Sequence, residues 1–334
     1  MFSDGLSGRL KKGGMIDEGR GYPCGGTARP PLLKSVSFWL PNTMSDTARI
    51  IASYGRRYTV RADSGRVYDA TTRKKRVDYA CGDFVHIEVQ NEEQAVISDF
   101  LPRRSLLYRQ DAWRTKLIAA NVDRMFVVTA AVPTPNETLL QRALLAAEAG
   151  GIEALVVLNK SDLPESAGWR EKLAFYAALG YPVVEVSALE NAAALPPLMA
   201  GLTNIFLGQS GMGKSTLTNA LLGSDAARTG DISAALDSGR HTTTHAQMYD
   251  LGGDTFLIDS PGLQEFGLHH LAAADLLRYF PDLRHLVGQC RFHNCTHRQE
   301  PGCAVKQAAD SGAVSPDRVA FLQRVTDELS VPRR

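Results

Sequence analysis

The sequence predicts a multidomain α/β protein, and three features of the chain support this prediction. Residues 48–107 contain five short runs of β-branched and aromatic residues separated by turn residues, which is typical of a small β-barrel. Residues 124–260 alternate apolar strand-like runs with helical patterns, which indicates a mostly parallel sheet with helices on both faces. Three of the chain's five cysteines fall between positions 290 and 303, so we expect a small helical module around them.

These patterns divide the chain into four segments. Residues 1–45 are rich in Gly, Pro, Ser and basic side chains and lack periodicity, so we expect a disordered tail. We assign residues 46–108 to the barrel, 109–270 to the α/β domain and 271–334 to the C-terminal helical module. Met44 stands just before the first organised segment, which leaves open whether the tail belongs to the natural protein.

Charge is unevenly distributed along the chain. The formal net charge is only +1, but residues 49–116 carry a basic surplus and the remainder towards the C-terminus is net acidic. This asymmetry favours a nucleic-acid-facing end, although a solvated basic face would explain it equally well. No run approaches the roughly 18 apolar residues of a membrane span, and the N-terminus lacks the apolar core of a signal peptide. We therefore expect a cytoplasmic protein without membrane contact, and nothing demands more than a monomer.

The barrel segment has the strand count of an OB-fold, a common scaffold for binding oligonucleotides. Basic and aromatic residues lie together near its turns, a mixture that suits RNA. The basic candidates are Arg56, Arg57, Lys74 and Lys75, and the aromatic ones are Tyr54, Tyr58 and Tyr68. A barrel that serves only for packing within the chain is the alternative.

A phosphate-binding loop is predicted between a strand-like run and a helical pattern. Its spacing is G-x-x-x-x-G-K-S, and its residues are Gly208, Gln209, Ser210, Gly211, Met212, Gly213, Lys214, Ser215 and Thr216. Glycines at these positions let successive backbone N–H groups point at a phosphate, and the following helix adds its positive dipole end. Lys214 would reach the β- and γ-phosphates, and the Ser215 hydroxyl would bind Mg²⁺.

A second motif, N-K-x-D, follows an apolar run at Asn159, Lys160 and Asp162. The Asp162 carboxylate can accept two hydrogen bonds from guanine N1–H and the exocyclic amine, a pair that adenine cannot supply. Lys160 would pack its stem against the base, and the backbone at Ser187 and Ala188 would recognise guanine O6. Because the strands are predicted to be parallel, all these residues fall at the same edge of the sheet.

Two further stretches downstream resemble the switches of GTPases. Asp259 and Gly262 stand in a D-x-x-G motif after an apolar run, where the carboxylate would hold Mg²⁺ and the glycine N–H would contact the γ-phosphate. In the stretch before it, Thr243 is our first choice to complete the Mg²⁺ ligands together with Ser215. Ordinary GTPases present N-K-x-D after the switches, whereas here it precedes the phosphate loop. The order predicts a circularly permuted P-loop GTPase domain.

The C-terminal module contains the pattern C-x4-C-x-H-x5-C. Cys290, Cys295, His297 and Cys303 form a set of three thiolates and one imidazole, which is typical of a tetrahedral zinc site. Four protein ligands leave no open position, so one structural Zn²⁺ is expected. His293 is a competing ligand.

Together these motifs resemble the small-ribosomal-subunit-dependent GTPase A (RsgA) family, over about residues 46–330. Further stretches that match the family are Gly208–Gly211, Gly239–Thr244, Asp259–Gly262 and Glu265–Gly267. The resemblance implies hydrolysis of GTP to GDP and phosphate, stimulated by the 30S ribosomal subunit, during late maturation of that subunit. It also implies that the barrel and the zinc module contact 16S rRNA.

The sequence does not identify the residue that positions the attacking water. Leu263 stands where Ras-like enzymes carry a glutamine, so we expect slow intrinsic turnover. His241 or His245 could orient the water, and a purely structural histidine fits as well. Gly211 stands where potassium-activated GTPases place an asparagine, so no strong K⁺ dependence is expected.

Two other functions remain open from the sequence alone. A P-loop also serves ATPases and kinases, and Asp162 is the residue that argues against them. A binding switch whose output is dissociation, with hydrolysis only resetting it, is the third possibility.

Overall fold

The structure is a computed structural model that describes residues 46–55, 57–73, 79–111, 114–226, 246–260 and 267–330. The predicted tail lies outside these ranges. So do Arg56, Lys74, Lys75 and both predicted switch stretches, apart from Asp259 and Ser260.

Short strands dominate the N-terminal half of the described chain, and helices dominate its C-terminal end. The strands are β1 Asp46–Ser53, β2 Tyr58–Ala62, β3 Val67–Thr72, β4 Phe84–Val89, β5 Gln94–Phe100, β6 Leu106–Asp111, β7 Arg114–Ala120, β8 Arg124–Thr129, β9 Glu153–Leu158, β10 Val183–Glu185, β11 Thr203–Leu207, β12 Gln247–Gly252 and β13 Thr255–Asp259. The α-helices are α1 Glu137–Gly150, α2 Ser166–Ala178, α3 Pro196–Met199, α4 Lys214–Ala226, α5 Ala304–Asp310 and α6 Pro316–Ser330, with 3₁₀ helices at Ala273–Tyr279 and Arg284–Leu286. Within the described ranges, no helix combines the length and apolar character needed to cross a bilayer.

The first five strands form a closed barrel, as the alternation of apolar residues predicts. They pair in the order β1-β2-β3-β5-β4, and β1 also pairs with β4 to close the ring. Alternate side chains fill the interior, among them Ile50, Val60 and Ile87. Tyr58 and Tyr68 belong to this core and are 4% and 5% exposed. The expectation that they stack on nucleic-acid bases is therefore wrong, because their rings pack inside the barrel.

The predicted parallel sheet comprises β10, β9, β8, β11 and β13, in that order. Successive side chains on each strand enter two different cores, as the period of two requires. On β8, Met125 and Val127 face the core that contains α1, α2 and α6, whereas Phe126 and Val128 face the core that contains residues of α3 and α4. Helices therefore cover both faces of the sheet, as predicted from the sequence.

The barrel and the parallel sheet are joined by backbone pairing into one eleven-stranded sheet. Strand β12 pairs antiparallel with β13 on one side and with β1 on the other, where Ala52 lies opposite Gln247. Beside this junction, Arg49 donates a hydrogen bond to the Thr203 hydroxyl over 2.7 Å. Its guanidinium also lies within 5 Å of the centres of the Phe84 and Phe256 rings.

The hairpin of β6 and β7 was not expected, because the sequence of this segment is typical of a link between domains. The reason is that none of the usual Asn-Gly, Asp-Gly or Pro signals of a tight turn stands between the two strands. The hairpin carries Leu107, Ile118 and Ala119 into the core that contains α1.

The C-terminal module packs on the α1 side of the sheet. Leu276, Phe280 and Phe321 are at most 1% exposed and join the same core as α1. A bidentate ion pair between Arg318 and Asp282, at 2.9 and 3.1 Å, fixes α6 to the 3₁₀ segment.

Candidate nucleotide and metal sites

The loop after β11 has the backbone that a phosphate-binding loop requires. Gly208, Gly211 and Gly213 all have positive φ angles, a conformation that favours glycine. A Cβ at Gly208 would lie 2.1 Å from the Val128 oxygen, and one at Gly213 would lie 2.3 Å from the Asn159 amide nitrogen. These two glycines are therefore required by space as well as by conformation.

Lys214 begins helix α4 and is only 6% exposed. Its ammonium curls back over the loop and donates to the carbonyl oxygens of Gly208 and Gln209, at 2.9 and 3.1 Å. Burial lowers the pKa of this lysine to about 8, although the charge of nearby Asp259 acts in the opposite direction. The amine is thus held at the centre of the loop, beside a carboxylate that can bind a cation.

Asn159 joins three loops at the carboxyl edge of the sheet. Its Nδ2 donates to the carbonyl oxygen of Met212 over 2.9 Å, and its Oδ1 accepts from the N–H of Ala188 over 3.1 Å. The side chain is 1% exposed, so both bonds are protected from water. The N-K-x-D, phosphate and Ser187–Ala188 loops therefore hold one another in place.

Lys160 reinforces this arrangement from the loop's outer side. Its Nζ donates to the carbonyl oxygens of Val132 and Gly211, at 2.8 and 2.9 Å. Asp162 lies two residues further on with an exposed side chain, while Ser187 is buried. An exposed carboxylate two residues after the partly buried Lys160 is an arrangement that a planar base can enter.

Gln209 has a role that the motif does not reveal. Its Oε1 accepts from the N–H of Asn136 over 2.8 Å, and its Nε2 donates to the carbonyl oxygen of Thr134 over 3.3 Å. Asn136 in turn caps helix α1, accepting from the N–H of Leu139. The second residue of the phosphate loop thus ties the loop to the start of α1, 73 residues away in sequence.

Asp259 ends strand β13 beside the phosphate loop and is 4% exposed. The next residue, Ser260, is anchored to the neighbouring strand through a 2.8 Å hydrogen bond from its hydroxyl to the Phe206 carbonyl. Thr243, His241 and Gly262 lie outside the described residues. Of the predicted Mg²⁺ ligands, the structure therefore describes Ser215, at the start of α4, and Asp259.

The residues brought together at this edge have complementary chemistry. A glycine loop and a helix start provide N–H donors for phosphate, Lys214 provides positive charge, and Asp259 and Ser215 provide oxygen ligands for a hard cation. Asp162 and the Ser187–Ala188 backbone stand where a base can be recognised. The geometry suits a nucleoside polyphosphate with its divalent cation.

A second cluster of functional side chains lies in the C-terminal module. The ligand atoms of Cys290, Cys295, His297 and Cys303 all lie within 4.8 Å of one another. The His297 Nδ1 is 3.6 Å from the thiols of both Cys290 and Cys303, and those two sulfurs are 4.0 Å apart. Tetrahedral bonds of about 2.3 Å to sulfur and about 2.0 Å to nitrogen require spacings of roughly 3.5–3.8 Å. The four side chains therefore fit one metal ion, and His293 is not among them.

The protonation of this cluster also depends on burial. Burial lowers the pKa of His297, which keeps its imidazole neutral and able to bind a metal. Burial raises the pKa of the Cys295 thiol to about 12, with further contributions from its thiol neighbours. A bound cation would reverse the latter effect, because coordination stabilises the thiolate.

Hydrogen bonds outside the four ligands hold the metal loop in shape. Glu300 accepts from the hydroxyl and N–H of Thr296 and from the N–H of Arg298, and these bonds lower the pKa of Glu300 below its usual range. Gln323 of α6 donates to the His297 carbonyl over 2.6 Å, and Arg298 pairs with Asp327. No motif signalled these contacts, because Gln323 and Asp327 lie more than 20 residues from their partners in sequence.

Of the four basic residues predicted to bind RNA, only Arg57 lies within the described ranges, and its side chain is exposed at the turn between β1 and β2. Tyr54, at the same turn, is 49% exposed. The predicted role of these two residues is not tested by the fold.

The comparison with known proteins identifies the family. The family model of the RsgA GTPases matches residues 100–269. A small ribosomal subunit biogenesis GTPase RsgA from Neisseria meningitidis (strain FAM18) is 75% identical over 287 residues, which are 86% of this chain and 94% of that protein. The chain belongs to the RsgA GTPase family. An RsgA protein from Nitrosomonas europaea is 44% identical over 287 residues, which are 85% of this chain and 91% of that protein.

Solved structures agree with this assignment to the RsgA family. YjeQ from Thermotoga maritima superposes with a TM-score of 0.65 at 25% identity, covering 87% of this chain and all of that one. YloQ, described as a circularly permuted GTPase, superposes with a TM-score of 0.62 at 25% identity, covering 87% of this chain and 97% of the other. The predicted fold class is confirmed, and the protein is a GTP hydrolase with a circularly permuted nucleotide domain.

Proposed function

We propose that this GTPase binds the 30S ribosomal subunit and hydrolyses GTP in response to it during late maturation of the subunit. The observation that carries the proposal is the pair of hydrogen bonds made by the buried Asn159 side chain, which donates to the Met212 carbonyl and accepts from the Ala188 N–H. They bring the guanine-reading and phosphate-binding loops together at one edge of the sheet. We propose the 30S subunit as the partner because the similar proteins are named small ribosomal subunit biogenesis GTPases.

In this proposal each part of the nucleotide has a defined partner. The backbone N–H groups of residues 208–216 surround the phosphates, and Lys214 leaves the carbonyls of Gly208 and Gln209 for the β- and γ-phosphates. Ser215, Asp259 and Thr243 would hold Mg²⁺, which supplies charge neutralisation to the leaving phosphate. Asp162 recognises the guanine edge, with Ser187, Ala188 and Lys160 around the base.

The Cys₃His cluster would hold Zn²⁺ in a structural role. Three sulfur ligands and one nitrogen ligand in tetrahedral spacing favour zinc over Mg²⁺ or Ca²⁺, which prefer oxygen. We propose that the zinc-supported module and the basic residues Arg56, Arg57, Lys74 and Lys75, of which Arg57 is exposed, contact 16S rRNA. The free cysteines among the described residues agree with action in the reducing cytoplasm.

The first experiment is GTP hydrolysis by the full chain alone, with purified 30S subunits, and with 50S subunits as the control. Strong stimulation by 30S and none by 50S is the expected result. Equal slow turnover in all three conditions would contradict the proposed partner and leave the hydrolase activity standing.

A competition experiment separates GTP from ATP. GTP and GDP should displace a fluorescent guanine nucleotide far better than ATP, by about 10⁴-fold, because an adenine leaves the Asp162 carboxylate without its two donors. An Asp162→Asn variant should bind xanthosine nucleotides better than the unaltered chain does. Comparable displacement by ATP would overturn the proposed base contact.

A further inference from the structure

The C-terminal helix α6 ends in a shared ion pair that involves two other parts of the molecule. Both carboxylate oxygens of Glu328 accept hydrogen bonds from the Arg142 guanidinium, at 2.6 and 2.8 Å. The His269 Nε2 lies 3.1 Å from the Oε1 of the same carboxylate. The three side chains are 15–31% exposed, so water screens the group only in part.

One partner of Glu328, Arg142, belongs to a helix whose start contacts the phosphate loop. Arg142 lies in α1, six residues after its cap Asn136, whose N–H is bound by Gln209 of the phosphate loop. His269 follows Leu268, which is 0% exposed, ten residues after Asp259. The connection through α1 is short and lies within one helix and its cap.

The same helix also holds the metal loop. Gln323 donates to the His297 carbonyl and Asp327 pairs with Arg298. Gln323 and Glu328 are five residues apart, a distance of roughly 7.5 Å along a helix axis. Phe321, Leu322 and Val325 are each 1% exposed and fix α6 in the core, so its two ends cannot shift independently.

We propose that Glu328 is a positioning residue for GTP hydrolysis, which holds Arg142 and His269 so that α1 keeps its place relative to the metal-binding module. The residue does not touch the nucleotide. It acts on the phosphate loop through α1 and its cap Asn136, which is bound by Gln209. The inference rests on the nucleotide site proposed above.

The test compares Glu328→Gln with Glu328→Asp in the full chain. Asp275→Asn is the matched control, because its ion pair with Arg278 lies on the same module with both side chains about half exposed or more, where such pairs contribute little. Single-turnover GTP hydrolysis, the Kd for GDP and for GTP, bound zinc and the melting temperature are measured for each variant.

We expect Glu328→Gln to lower the hydrolysis rate by about 5–10-fold, while the Kd for GDP changes less than about twofold and zinc stays bound. Glu328→Asp should recover much of the rate, and Asp275→Asn should match the unaltered chain. An unchanged rate in Glu328→Gln would overturn the proposal. So would a rate loss matched by equal losses of GDP affinity and zinc, since that result indicates a purely structural role.

A double-mutant cycle covers the case in which Glu328→Gln fails to fold. Arg142→Gln and His269→Asn each remove one partner, and their effects on the rate should be non-additive if both act through the same carboxylate. Additive effects would contradict the shared role. If the unaltered chain does not bind GTP, both this inference and the proposed nucleotide site are contradicted. If the unaltered chain binds GTP normally and the variants hydrolyse it at the same rate, only this inference is contradicted.

Discussion

The side-chain amide of Asn159 donates to the carbonyl oxygen of Met212 over 2.9 Å and so ties the loop after β9 to the phosphate loop. Replacing Asn159 with alanine removes this bond and the one from Ala188, and leaves the buried Met212 carbonyl and the partly buried Ala188 N–H without these partners. We expect a loss of about 2 kcal/mol in GTP binding, or roughly a 30-fold higher Kd. Titration with a fluorescent guanine nucleotide measures the Kd of the variant and of the unaltered chain.

Asn219→Ala is the control for this substitution, because Asn219 is an exposed amide on α4. It should leave the Kd within about twofold of the unaltered value, since surface substitutions are usually nearly neutral. An unchanged Kd in Asn159→Ala would show that the three loops hold their places without this side chain.

Gly213 is a position where any side chain should strongly weaken nucleotide binding. Its φ is +88°, and a Cβ would meet the Asn159 amide nitrogen at 2.3 Å, so Gly213→Ala displaces the side chain that joins the loops. We expect the Kd for GTP to rise by about 100-fold or more, equivalent to roughly 2.7 kcal/mol.

Gly201→Ala separates steric displacement from backbone strain. Gly201 also has a positive φ, +70°, but a Cβ added there would meet no described atom within 4 Å beyond its own chain neighbours. This variant should lose about 1 kcal/mol of stability in chemical unfolding and keep its GTP affinity. Equal affinity losses in both glycine variants would mean that strain alone explains the effect at Gly213.

The lowered pKa of Lys214 predicts a pH dependence of nucleotide binding. Phosphate recognition needs the charged ammonium, and a bound polyphosphate raises the pKa of about 8. Below about pH 7 the lysine is already charged, so it contributes no pH dependence. Above about pH 8 binding must take up a proton, and the Kd should rise towards tenfold per pH unit.

Calorimetry in two buffers with different ionisation enthalpies measures this proton uptake directly. Lys214→Arg provides the control, because a guanidinium stays charged throughout this pH range. Proton uptake at pH 9 by the unaltered chain but not by the arginine variant is the expected result. Equal uptake by both would assign the titration to a different group.

The metal cluster should determine the stability of the C-terminal module. Cys295→Ser removes a ligand, and we expect loss of most of the bound zinc and a melting temperature lower by about 5–10 °C, corresponding to roughly 3 kcal/mol. His293→Ala is the control, since His293 lies outside the cluster. Metal analysis and thermal unfolding give both quantities, and zinc loss in His293→Ala would reinstate that residue as a ligand.

The parts of the site that were predictable from the sequence are those set by local chain geometry. The glycine loop between a strand and a helix can be recognised from a few consecutive residues, and so can Asn159 directly after a buried strand. The Cys₃His set is equally local, because its ligands lie within fourteen positions. The barrel strands follow from alternation, since each must bury one side.

Contacts between distant segments left no such signal. Gln209 and Asn136 are 73 residues apart, and Arg142 and Glu328 are 186 apart. Polar residues at these positions are common on any surface, so only the packing of α1 and α6 reveals that they pair. The prediction for Tyr58 and Tyr68 was wrong for a related reason. The sequence around a tyrosine near a basic turn does not show whether its ring faces solvent or the barrel core, and both rings lie in the core.

The pairing of β1 with β12 connects the barrel directly to the sheet that carries the nucleotide site. Strand β1 of the barrel pairs with β12, and β12 pairs with β13, which ends at Asp259. All three strands lie within the described residues, and backbone pairing connects each of them to the next. The barrel and the strand that ends at Asp259 therefore share one continuous hydrogen-bonded backbone, with no linker between them.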